Sequence, residues 1–276
     1  MDKKSLILTL LHLKGWGAKR VYLYVQRYNY DYEKCVNGLI EELNEEEKSA
    51  FKHELIFSKK TIELNSQVGT KVCCILDNEF PKKLYLSSNP CVFLFYKGDI
   101  SLLSQKSISI IGTRKPDSYF VEKGKIATTY FAKKGYVIVS GLALGCDTIA
   151  HSACLDVGGK TIAVLPSPCD NVQPTSNRQL AQRIIENGGL LISEYSTGST
   201  MTKFNFPQRD RIQSKLSEII LIIQANDQSG TMIATRNCLK DGKRVYAIKG
   251  NRISIVHNYV DIDSPEELEE ITKWIF

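Results

Sequence analysis

The chain reads as an α/β protein, a doubly wound and mostly parallel sheet preceded by a small all-helical segment. Three observations predict this. Short apolar, β-branched runs recur from about residue 70, stretches of helical length separate most of them, and residues 3–65 show helical spacing with no strand-like run.

In chain order, Leu6, Leu10 and Leu13 recur at helical intervals, as do Val21, Tyr24, Val25 and Tyr28. Between these two helices lies Lys14-Gly15-Trp16-Gly17-Ala18-Lys19-Arg20, either a helix–helix turn with Trp16 anchoring a core or a turn offering N–H groups and cations to a phosphate. Residues 41–48 are densely charged and read as a solvated helix face. Expected strands cover 72–76, 92–96, 108–111, 137–140, 161–165, 190–193, 219–224 and 244–248, and expected helices 118–134, 147–157, 176–187, 206–216 and 230–241. Near the end, Ser264 is placed to cap a helix with Pro265 at its first position and Glu267 at its third; this helix is expected to run out through Trp274, Ile275 and Phe276. Divided by pattern, residues 1–65 form a small helical domain, 66–252 the α/β domain and 253–276 an acidic tail.

Composition excludes several classes. Of the 276 residues 43% are hydrophobic and 24% charged, enough apolar material for a packed core. The eight cysteines are scattered and include no Cys-x-x-Cys pair, which argues against a zinc site or a disulfide framework; they read as buried, reduced residues of a cytoplasmic protein. No run of 18 apolar residues suggests a membrane span, and the N-terminal apolar run has no cleavage site. The net charge of +6 is uneven. Residues 66–252 carry 24 basic and 14 acidic residues, whereas residues 253–276 carry one and six, so the middle of the chain suits an anionic partner.

In a doubly wound sheet ligands bind outside the carboxyl ends of the strands, so the loops there carry the chemistry. The first offers Gly112, which allows close backbone approach, and Arg114, a fork of donors suited to phosphate. The second, Ser140-Gly141-Leu142-Ala143-Leu144-Gly145-Cys146-Asp147, runs straight into a helix start that Asp147 can cap. It is neither a Gly-x-Gly-x-x-Gly fingerprint nor a Walker loop. Later, Lys203-Phe204-Asn205-Phe206-Pro207-Gln208-Arg209-Asp210-Arg211 interleaves cations with aromatics, a combination suited to single-stranded nucleic acid. Arg209 and Arg211 diverge on a helix, so at least one is expected to pair internally; for Phe204 and Phe206 a core role and a stacking role are both open. Ser229-Gly230-Thr231 makes a further strand-to-helix turn, and together these loops can form a continuous groove.

The blocks IIGTRKPDSY, VSGLALGCDTIAH, LLISEYSTGS, KFNFPQRDRI and SGTMIATRNCLKDGKRVYAIKG, in this order over about residues 70–250, resemble the DNA-processing protein A family (DprA, also called Smf). The resemblance implies an extended Rossmann-like core that binds single-stranded DNA, dimerises and loads a RecA-type recombinase in natural transformation, without catalysis or cofactor. Carried over by residue, the DNA pocket would comprise Gly112, Arg114, Ser140, Gly141, Gly145, Lys203, Phe206 and Arg209, with Phe206 preferred to Phe204 as the base platform. Residues 1–65 are similar in position to the small N-terminal domain of many members, of SAM or helix-hairpin-helix type. Departures include Leu144, where the family usually has Arg, Asp210 where Asn is usual, and Ile248-Lys249-Gly250 where Val-Pro-Gly is usual. The winged-helix domain that some members carry after the core is not expected here.

A second class is a nucleotide sensor or a nucleotide-processing enzyme related to the phosphoribohydrolases. It would need a poised carboxylate, for which Glu194 is the candidate, but the Pro-Gly-Gly-x-Gly-Thr-x-x-Glu pattern of that group is absent. The four histidines lack metal-ligand spacing, His151 reads as a helix residue bonding a nearby loop, and Cys146 reads as a packing residue unless its helix N-terminus lowers its pKa.

Overall fold

The computed structural model describes residues 1–87 and 89–274. The expected last two residues of the final helix, Ile275 and Phe276, therefore lie outside the described residues. Four helices open the chain: α1 (Lys3–His12), α2 (Ala18–Arg27), α3 (Tyr32–Glu42) and α4 (Glu45–Gln67). Asp2 caps α1 by accepting from the Lys4 and Ser5 N–H groups, and Asp31 caps α3. The charged stretch 41–48 is not one helix face: it spans the α3–α4 junction, where Asn44 and Glu47 form a reciprocal capping box. Trp16 is buried, and Arg20 lies over its ring at 4.4 Å, so the Gly15–Arg20 turn is anchored on the core.

Next come β1 (Lys71–Cys74), the short α5 (Lys82–Tyr85), β2 (Phe93–Gly98), a 3₁₀ turn (Ile100–Ser104), β3 (Ser107–Ile111), α6 (Ser118–Lys133), β4 (Val137–Ser140), α7 (Cys146–Asp156) and β5 (Thr161–Val164). A second 3₁₀ turn (Thr175–Asn177) leads into α8 (Arg178–Glu186), followed by β6 (Leu190–Ser193), α9 (Asn205–Leu216), β7 (Ile219–Ile222), α10 (Thr231–Lys240), β8 (Arg244–Ile248), β9 (Asn258–Val260) and α11 (Pro265–Thr272). Ser264 caps α11 by accepting from Glu267 N, with Pro265 in its first turn. The nine strands form one sheet in the order β1-β2-β6-β5-β4-β3-β7-β8-β9. From β6 to β9 all neighbours are parallel, whereas β1–β2 and β2–β6 pair antiparallel. Strands β3 to β8 are nearly all apolar because helices cover both faces, the pattern that made them legible.

Two features differ from expectation. Residues 253–276 do not only trail the sheet: β9 pairs in register with β8, and three residues without an apolar run gave no strand signal. The first helices and the sheet share one apolar cluster, in which Leu6, Leu10 and Val25 are packed with Val72, Phe93 and Phe95. Helix α4 continues past residue 65 to Gln67, and its buried Asn65 accepts from the N–H and hydroxyl of Thr197, beyond β6.

The order of strands has a consequence. Successive crossovers run from β3 through β4 and β5 to β6 in one direction, then return to β7 on the other side of β3. The connections leaving β3 and β7 therefore diverge, and a crevice opens between their carboxyl ends.

A buried cluster of charges lies beside that crevice. Arg209, on α9, is 7% exposed; its guanidinium donates to the carbonyl oxygens of Gly141 and, at 3.2 Å, Val164, and its Nε lies 2.8 Å from Asp210 Oδ1. Asp147, also buried, stands 3.9 Å away and accepts from Ala143 N. One side chain thus ties the ends of β4 and β5 to α9 and α7. Burial raises the pKa of both Asp147 and Asp210, and the Arg209 charge opposes that rise. Exposed pairs such as Lys134–Glu269 are screened by water and contribute little, whereas removing one partner of a buried set costs about 3–5 kcal/mol. Arg209→Met is therefore expected to destabilise the fold by about 3–5 kcal/mol at pH 7. A carboxyl whose native pKa lies above its unfolded value destabilises the fold fully above the native pKa and not at all below the unfolded one. The loss in Arg209→Met should accordingly shrink as pH falls from 7 toward 4.5; denaturant unfolding at both values checks this, and a pH-independent loss would contradict it.

Candidate nucleic-acid interface

Between the ends of β3 and β7 lies a cleft of about 700 Å³. One wall is Gly112, Thr113, Arg114 and Lys115 with Phe206 and Asp210 of α9; the other is Gln224, Asn226, Gln228, Ser229 and Thr231 at the end of β7 and the start of α10. The first wall is cationic and aromatic, the second neutral and polar. Arg114 is exposed, and its guanidinium lies 5.5 Å from the centre of the Phe206 ring, close enough for a cation–π contact. Behind this pair is a second, mostly apolar cavity of about 170 Å³, lined by Gly141, Leu144, Pro166, Pro174 and Met201. Arg114 and Phe206 border both spaces and form a partition between them.

Main-chain contacts fix the loops. Thr113 N donates to Gln224 O (2.7 Å), and Cys146 N donates to Thr113 O (3.0 Å), which joins the β3 loop to β7 and to the start of α7. A Cβ on Gly112 would fall 2.5 Å from Cys146 Sγ and 2.7 Å from Gln224 O, so no other residue fits. Gly145 has φ of 74°, and a Cβ there would fall 2.5 Å from Thr113 O. Leu142, also at positive φ (57°), is held by Asn177, whose amide donates to the carbonyls of Leu142 (2.9 Å) and Ala143 (3.3 Å). On the far side, Asn251 donates to Ile223 O and accepts from Ala225 N, holding the exit of β7. Gln224 and Asp117 exchange hydrogen bonds across the mouth. Asn177 and Asn251 sit in unremarkable sequence, and only their burial reveals them.

The eight nominated residues are distributed unevenly around this cleft. Gly112, Arg114, Phe206 and Arg209 line it, and Gly141 lines the adjoining cavity. Ser140 is buried beneath, its hydroxyl donating to Ile110 O (2.7 Å), and Gly145 packs against the Arg114 backbone. Lys203 does not line the cleft; it is exposed on the approach to α9, with its ammonium 5.5 Å from the ring centre of Phe204, which is 71% exposed. Both arginines of α9 pair internally, where sequence required only one: Arg209 as above, and Arg211 with Glu194 (2.6 and 2.7 Å). Among the described residues Arg114, Lys115 and Lys203 have no carboxylate within ion-pair distance.

Two sequence readings, for Asp147 and Glu194, are corrected here, and the reading of Cys146 as a packing residue holds. Asp147 is not the cap of α7, a position held by Gly145; its carboxylate turns back to Ala143 N and faces Arg209. Glu194 does not face the cleft, because Arg211 draws it to the other side of α9. Cys146 is no activated thiol, since burial pushes its pKa up to about 12 despite its place at a helix N-terminus. His151 is buried against Thr161 Oγ1 (2.7 Å), and burial with the nearby Arg209 charge pushes its pKa down to about 3. Among the described residues no group of His, Cys, Asp or Glu is arranged to hold a metal, and no helix is long and apolar enough to cross a membrane.

Comparison with known proteins identifies relatives of the whole fold. The chain is 35% identical over 184 residues to DNA processing protein DprA of Bacillus subtilis and 38% identical over 180 residues to that of Streptococcus pneumoniae, in each case over 62% of the relative's length. It is 34% identical to protein Smf of Escherichia coli, of which it covers 47%. The chain thus spans about half to three-fifths of the length of these curated relatives. The X-ray structure of DprA from S. pneumoniae superposes with a TM-score of 0.68 at 28% identity, covering 98% of this chain and 90% of the other. A structure of DNA processing protein A from Helicobacter pylori, described for its single-stranded DNA binding mode, gives 0.66 at 29% identity over 75% and 97% of the two chains. Residues 71–258, β1 through the start of β9 and so every wall of the cleft, match the model of the DNA recombination-mediator protein A family, and the chain belongs to that family.

Proposed function

We propose that this chain binds single-stranded DNA irrespective of sequence in the cleft between β3 and β7 and delivers it to a RecA-type recombinase, acting as a homodimer in the cytoplasm and not as a catalyst. The observation that carries this reading is the unpaired Arg114 lying against Phe206 at the switch point of the sheet. Arg114, Lys115 and, on the approach, Lys203 supply phosphate contacts; Phe206 and the exposed Phe204 supply faces on which unpaired bases stack. The cleft carboxylates, Asp147 and Asp210, are both directed at Arg209, which supports a binding role over acid–base chemistry. The H. pylori relative described as binding single-stranded DNA supports the ligand, and the family's description as recombination mediators supports the partner.

The neutral wall from Gln224 to Thr231 favours one second reading, a free nucleotide as ligand, since amides and hydroxyls suit base and sugar. Stabilisation of the chain by a mononucleotide but not by an oligonucleotide would favour it.

Oligonucleotide titrations across a salt series test the main reading. Single strands should bind more tightly than duplex, and Arg114→Ala and Lys203→Ala should each flatten the slope of log K against log salt by about 0.7. Phe206→Ala should cost about 1–3 kcal/mol with the slope unchanged. Equal affinity for duplex, or single-strand affinity unaffected by Arg114→Ala, would contradict the reading. Sedimentation should give the mass of two chains, and a RecA-type recombinase should be retained on single strands already coated by this protein; a monomer, or no retention, would remove that part of the proposal.

A further inference from the structure

Helix α9 separates two unlike spaces. Phe206, Arg209, Asp210 and Gln213 face the cleft, whereas Gln208, Arg211, Ser214 and Lys215 line a cavity of about 300 Å³ against α10 and the turn before β2; Ile233 is common to both. In the second cavity Arg211 and Lys215 stand one helical turn apart, 7% and 5% exposed, and both donate to Asn89 O, Arg211 at 3.0 Å. Like charges at this spacing repel. Glu194 neutralises only Arg211, gripping its Nη2 with both oxygens, and among the described residues no carboxylate lies within ion-pair distance of Lys215. Cys91, beside β2, and Asp241, after α10, also bear on Lys215, and Lys243, before β8, packs against the end of α9 with its ammonium donating to the Ser214 and Lys215 carbonyls. Lys240 and Asn237 of α10 close the opposite side.

A buried ammonium whose own contact is a main-chain carbonyl, facing a polar cavity with a second lysine across it, is a counter-ion site. We propose that this cavity binds a small tetrahedral oxyanion, the phosphate group of a free phosphomonoester or inorganic phosphate, between Lys215 and Lys240. Asn237 is at hand as a neutral donor, whereas the Ser214 hydroxyl is committed to Arg211 O (2.9 Å). The exposed Asp241 sets a limit on the charge the site accepts from that side. The site is independent of the cleft, because α9 lies between them.

Sulfate serves as the probe, since it remains a dianion across the pH range used. Calorimetric titration of the full chain carrying Arg114→Ala, which removes the main cleft cation, should show one sulfate bound per chain. Burial lowers the Lys215 pKa to about 8, with the Arg211 charge adding to the effect, so affinity should fall about tenfold from pH 7 to pH 9. Lys215→Met, of similar volume and uncharged, should abolish the binding. Lys240→Ala, at an exposed position that folding does not need, should weaken it by about threefold or more. An oligonucleotide arm separates the sources of phosphate: with Arg114 intact, Lys215→Met should leave single-strand affinity unchanged. Absence of sulfate binding, binding indifferent to pH and to both lysine substitutions, or a loss of oligonucleotide binding in Lys215→Met without any sulfate site would overturn the proposal.

Discussion

The guanidinium of Arg209 is the constraint on which the crevice depends. Its hydrogen bonds to Gly141 O and Val164 O and its pairing with Asp210 hold the exits of β4 and β5 to α9, and Asp147 brings in the first turn of α7. A charge so deeply buried is tolerable only while all its partners remain in place. That requirement fixes where α9 begins, and with it the position of Phe206 opposite Arg114. The residue that sequence presented as a phosphate contact is thus mainly an organiser: it borders the cleft, yet its donors are directed at the protein.

Around it, the cleft follows from strand order and close backbone approach. Reversal of the chain between β6 and β7 opens the crevice, and the absence of side chains at Gly112 and Gly145 lets the β3 loop, β7 and α7 come within hydrogen-bonding distance. The exposed cations Arg114 and Lys115 are left on one wall, without an internal partner among the described residues. The buried ion pairs therefore set the shape of the crevice, and the proposed recognition falls to the exposed cations.

Much of the α/β core was legible in the sequence because strands covered on both faces are continuous apolar runs, and helices between them have the expected lengths. Arg114 was legible as a cleft residue because loops at carboxyl ends of strands are where ligands meet such sheets, whereas Phe206, on α9, was set above Phe204 only by the family resemblance. What stayed hidden depends on contacts far apart in the chain. No local pattern shows that Arg211 captures Glu194, that Asp147 turns from its helix end toward Arg209, or that Asn177 and Asn251 secure the loops. The pairing of β9 was hidden for a different reason: three residues at a sheet edge are too few for a periodic signal.

A buried charge cluster holds the crevice, glycines bring its loops into contact, and a cation lying against an aromatic ring faces outward from it. The central claim is that a single strand lies in this crevice. It is tested most directly by a structure of the full chain with a short oligothymidine: the account predicts phosphates at Arg114 and Lys115 and a base against Phe206, between the carboxyl ends of β3 and β7. A strand bound elsewhere, with the crevice unoccupied, would contradict it.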